Sequence, residues 1–118
     1  MITIEKLKEY GADVEGGLKR CMNNESFYLN LVPKAVADDC CERLVDAVEG
    51  KRYKEAFEIA HGLKGVAGNL GLSPIYAPAS TLTEYLRNDV DESREEEFKA
   101  LAKEVLAQKE KLAALINN

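Results

Sequence analysis

Ala60-His61-Gly62-Leu63-Lys64-Gly65-Val66-Ala67-Gly68-Asn69-Leu70-Gly71 contains the only histidine of the chain and four of its eight glycines. On a helix at about 100° per residue, Ala56, Ile59, Ala60, Leu63, Val66, Ala67 and Leu70 fall within about 60° of Leu63. His61 lies roughly 160° from Leu63, on the far side. Gly65 and Gly68 follow it on that face, Lys54 precedes it by two turns, and Lys64 stands beside it at i+3. The spacing therefore predicts a helix with a filled apolar stripe and an imidazole aimed at solvent.

A single histidine is commonly a packing residue or an incidental surface residue. The full apolar stripe argues against the first reading, and the glycines argue against the second. Gly62, Gly65 and Gly68 each weaken a helix by about 1 kcal/mol relative to alanine. Bare backbone beside an exposed imidazole lets something large come close, which is a use that offsets that cost.

Near neutral pH an exposed imidazole offers a ring nitrogen as nucleophile. If the ring took up a phosphoryl group, Lys64 would face the new negative charge. A unit pair at about 4 Å is worth about 4 kcal/mol at an effective dielectric near 20. Exposure and salt reduce that to about 1 kcal/mol, enough to tune a labile group without trapping it. Metal binding fits poorly: no second histidine or cysteine stands at i+3 or i+4 of His61, and one exposed ligand does not hold zinc.

The run His61-Gly62-Leu63-Lys64-Gly65, followed by Asn69-Leu70-Gly71, resembles the signature of histidine-containing phosphotransfer (HPt) domains. In that family a small residue, leucine, lysine and glycine follow the histidine, and Leu-Gly closes the helix. The likeness extends to Asn24-Glu25-Ser26-Phe27-Tyr28, at the start of a first long helix, and to Lys51-Arg52-Tyr53, leading into the histidine helix. Gly62 departs from the pattern, where Ser or Thr is commoner. The resemblance implies an all-α, antiparallel four-helix bundle that carries phosphate between receiver aspartates in a multistep phosphorelay. It implies His61 as phosphoacceptor, Lys64 as charge partner and Gly65 as the residue that gives clearance.

At 118 residues the chain is expected to form a single domain. Two short N-terminal helices over 1–23 precede the bundle over 24–118. A net charge of −5 argues against nucleic acid as a partner, which would want a basic face. No apolar run approaches a membrane span, and the N-terminus lacks a signal-peptide core. Cys21, Cys40 and Cys41 are odd in number and form no CxxC, so all three read as reduced packing residues in a cytoplasmic protein.

In chain order, Thr3 caps a helix over 4–10 that Gly11 stops, and Asp13 caps another over 14–22. Asn24 begins a helix running to about residue 49, with a kink or break expected at Pro33. Tyr28, Leu31 and Ala35 share one face of it, while Ala37, Cys40, Cys41, Leu44 and Val48 share nearly the opposite one. Ser73 with Pro74 starts the next helix, its buried stripe Ile75, Ala79, Leu82 and Leu86, and Pro78 is expected to bend or delay it. The last helix begins within 91–97, with Ser93 and Glu96 spaced as a capping box. Short loops make neighbouring helices antiparallel.

The surface around His61 gives the expected receiver-docking face: Gly65, Gly68, Lys54, Phe57 and Glu58. Lys54, about 10.5 Å from His61 at 1.5 Å per residue, would steer an acidic partner. Phe57, at i−4, would supply an apolar contact. The expected partners are receiver domains of response regulators or hybrid histidine kinases, with the protein acting as a monomer, without cofactor or metal and without catalysis of its own. A receiver-binding module that takes no phosphate, and the phosphoacceptor domain of a chemotaxis-type histidine kinase, are the alternatives. Met1 and the compact end at Asn118 suggest a free-standing protein, and an excised domain would show the same ends.

Overall fold

Residues 1–117 are described by the computed structural model, which contains seven α-helices, one 3-10 turn and, among those residues, no strand. Helix α1 (Ile4–Tyr10) starts where the Thr3 hydroxyl accepts from the Lys6 amide, and Gly11 ends it at a φ of +103°. Helix α2 (Val14–Arg20) is capped in the same way by the Asp13 carboxylate on the Gly16 amide. Met22 and Asn23 then turn the chain through left-handed φ values of 58° and 57°, and the Asn24 side chain caps α3 (Glu25–Ala37) at Phe27.

The expected single helix over 25–49 is two helices, and the division does not fall at Pro33. Pro33 sits inside α3, where it removes one backbone donor without ending the helix. The break comes at Asp38, which is extended (φ −72°, ψ 147°). There the Asp38 carboxylate accepts from the Cys40 amide at 2.8 Å and opens α4 (Cys40–Glu49). A carboxylate at a helix start satisfies a free amide and suits the positive end of the dipole, whereas Asp39 caps no amide and accepts from the Arg43 side chain at 3.0 Å. Tyr28, Val32 and Val36 are the buried residues of α3, whereas Leu31 and Ala35 are half-buried and Ala37 is exposed.

Helix α5 (Tyr53–Leu70) carries His61 and ends at Gly71, whose φ of +69° is left-handed. A side chain there would run into the Asp13 carbonyl, and the Asp13 amide donates to the Gly71 carbonyl at 2.7 Å. The turn is thus held by a backbone approach that only glycine permits. Helix α6 (Ser73–Leu86) begins one residue earlier than expected and runs through Pro78 without delay. The expected capping box at Ser93 is not formed. Asp91 instead accepts from the Ser93 amide and hydroxyl, winding a 3-10 turn (Glu92–Arg94) before α7 (Glu95–Ile116).

Four helices close a ring: α4 against α5, α5 against α6, α6 against α7, and α7 back against α4. Leu44, Val48, Ala60, Leu63, Leu82, Phe98, Val105 and Leu112 fill it, each at most 8% exposed. Helix α3 extends the ring along α5 and α7, and α1 and α2 pack at its end, α2 on α5 and α1 on α7. Tyr28 is fully buried among them, its hydroxyl donating to the Leu70 carbonyl at 2.8 Å. Cys41 and Cys21 are buried, Cys40 is half-buried, and all three are free thiols.

Candidate functional site

His61 lies in the middle of α5 and is exposed. Ala60 and Leu63 on either side of it point inward, at 0% and 8% exposure, so core packing fixes the rotation that turns His61 outward. A Cβ added at Gly62 or at Gly65 would meet no atom within 4 Å. The backbone next to the imidazole is therefore open to an incoming surface. Val66, expected in the buried stripe, is 46% exposed and lines a small cavity with Ala35, Val36 and Cys41, away from the imidazole.

The other flank is built. The Phe57 ring stacks on the imidazole, with centroids 5.7 Å apart and planes 30° from parallel. Arg87, from the end of α6, places its guanidinium carbon 5.3 Å from the centre of the Phe57 ring. Lys64 reaches across to the same helix, with its ammonium 3.9 Å from a Glu84 carboxylate oxygen. Arg87 approaches Glu84 at 3.3 Å through both Nε and a terminal nitrogen. The hydrogen bond from Arg87, and then the charges of Arg87, Lys64 and His61, hold the Glu84 carboxyl below the usual carboxylate range.

The remaining residues named from sequence are less close together. Lys54 and Glu58 are exposed and border a shallow depression with Arg52, Tyr53 and Glu55, toward the start of α5. Gly68 is not part of the open surface: a Cβ there would come within 3.3 Å of the Tyr76 ring. Its carbonyl accepts from Arg20 at 2.6 Å, and the Asn69 carbonyl accepts from the same guanidinium at 3.0 Å. Arg20 thus satisfies carbonyls at the C-terminal end of α5, which is where a cation suits the helix dipole. The absent side chain at Gly68 serves packing within the chain.

Glu84 and Arg87 escape a reading made one helix at a time, because both lie off the buried stripe of α6. The turn between the helices carries the signal. Phe57 and Arg87 both stand 15 residues from Leu72, so folding α5 and α6 back on each other brings them to the same height.

No group of three or more His, Cys, Asp or Glu side chains among the described residues is arranged to hold a metal ion. No helix among them is long and apolar enough to cross a membrane.

A helical bundle that displays one imidazole on an open helix face is the architecture of a phosphocarrier module. The Hpt domain family model matches residues 34–116, more than two thirds of the chain. The chain belongs to that family, whose members carry phosphoryl groups in His–Asp phosphorelays and interact with receiver domains. No curated protein and no solved structure matched the chain.

Proposed function

We propose that His61 is the phosphoacceptor and that the whole chain works as one monomeric, cytoplasmic HPt domain, without cofactor and without catalysis of its own. A lone pair of the imidazole attacks the phosphorus of a receiver's aspartyl phosphate. The N–P bond forms as the O–P bond breaks, and the aspartate leaves as a carboxylate. The reverse step hands the group to a second receiver. Phosphoryl transfer of this kind depends on alignment and charge stabilisation, which the receiver supplies with its bound metal.

The observation that carries this reading is the open backbone at Gly62 and Gly65 beside an exposed imidazole. Gly65 gives clearance, Lys64 meets the acquired charge, Lys54 and Glu58 extend the docking face toward the start of α5, and Phe57 backs the imidazole from the built flank. The net charge of −5 also disfavours nucleic acid as a partner. Incubation with a radiolabelled phospho-receiver tests the assignment. The native chain is expected to take up acid-labile, base-stable label, and His61→Gln to take up none while keeping its helical spectrum. Label retained on His61→Gln would refute it.

A further inference from the structure

We propose that Glu84 is an internal counterion that holds Lys64 and Arg87 beside His61, and that a phosphoryl group on His61 takes these two cations over. The inference rests on the reading of His61 as phosphoacceptor. It makes Glu84 a positioning residue, acting through the cations and not on the reacting atoms.

Two cations from two helices converge on one carboxylate next to the imidazole. Lys64 reaches Glu84 from α5 at 3.9 Å, and Arg87, the residue just past α6, reaches it at 3.3 Å. Arg87 is also anchored over Phe57, which stacks on His61. With a neutral ring, the Lys64, Arg87 and Glu84 charges sum to one positive. A phosphoryl group adds close to two negative charges and three strong acceptor oxygens.

The existing pairs are long and partly exposed, with 57% of the Glu84 side chain accessible, so they place the cations but are weak enough to be exchanged for a stronger anion. A dianion with three acceptors outbids one carboxylate for the same donors, and charge-assisted bonds to phosphate favour Arg over other donors. Glu84 can then swing outward from its exposed position. Until phosphate arrives, the carboxylate keeps Lys64 and Arg87 from facing each other unpaired and lowers the positive field that the ring feels. The charged residues around His61 are Lys64, Glu58 and, two turns back, Lys54 on α5, with Glu84 on α6 and Arg87 just past its end.

Phosphoramidate, a small donor, tests this without a receiver. A ring nitrogen forms the N–P bond as the donor's P–N bond breaks, and ammonia leaves with the donor's proton. The second ionisation of the resulting phosphohistidine is read from the pH dependence of its phosphorus-31 shift. Glu84→Gln frees both cations, so the midpoint should fall by about half a pH unit, the span that exposed ion pairs reach. Lys64→Ala should raise it, and Glu84→Gln placed in that background should move it less than in the native chain.

An unchanged or raised midpoint in Glu84→Gln overturns the inference, as does failure of phosphoramidate to label His61 at all. A phosphohistidine that behaves as expected here, in a chain that no phospho-receiver labels, would sink the phosphorelay role and leave the counterion role standing.

Discussion

The Tyr28 phenol is buried in the contact between α2, α3 and the end of α5, where its hydroxyl donates to the Leu70 carbonyl. Burial, with smaller contributions from Cys21 and Asp13 and opposed by Arg20, pushes its pKa from 10.0 up to about 12. The native state therefore keeps a proton that the unfolded chain gives up. The resulting stabilisation is complete below pH 10 and is lost as pH rises through about 12. Tyr28→Phe should lose about 1–3 kcal/mol at neutral pH, because it leaves a buried carbonyl unpaired. In urea titrations the gap between native and variant should narrow from pH 10 to 12, and a constant gap would contradict the assignment. Tyr28 could be placed on a buried face from its phase alone, but its partner at Leu70 is 42 residues away. Val66 shows the limit of phase in the other direction. It belongs to the apolar stripe by angle, yet it lies at the edge of what α3 and α4 cover and remains exposed.

At the scale of the helix, the glycines of α5 separate into two uses. Gly62 and Gly65 have open space where a Cβ would stand, whereas Gly68 packs under Tyr76. Gly62→Ala should stabilise the protein by about 0.5–1 kcal/mol, seen as a higher midpoint in denaturant, with no clash to offset it. Gly65→Leu should keep helicity and slow uptake from a phospho-receiver at least tenfold. Equal rates would remove the clearance role from Gly65. Helix starts that rest on a side-chain cap, at Thr3, Asp13 and Asn24, are legible because the acceptor and its amide are three residues apart. The boundaries that were not legible depend on tertiary context. Pro33 and Pro78 stay inside helices that packing holds in place, while the break at Asp38 follows from a local bond to Cys40 that competes with the helix.

For the whole molecule, the ring of α4 to α7 closes without help from the first 23 residues, which lie outside the matched span 34–116. Those residues nevertheless bury Leu7, Val14 and Cys21 and seat Gly17 against Tyr28 and Leu70. Removing residues 1–23 should lower the melting temperature by about 5 °C for each kcal/mol lost, while the helical spectrum persists and His61 still takes up label. Loss of labelling in a chain that stays helical would instead make α1 and α2 part of the docking surface. The outward histidine could be read from periodicity and the all-α class from the family resemblance, whereas the built flank of the site could not, since it needs α5 and α6 set against each other.

Because Phe57 and the end of α6 occupy one side of the imidazole, a domain that reaches His61 as proposed would come in over Gly62 and Gly65. A domain delivering a phosphoryl group and one collecting it would have to stand in the same spot. The two must therefore take turns, and steady-state exchange should follow ping-pong kinetics, with the idle visitor acting as a competitive blocker of the other.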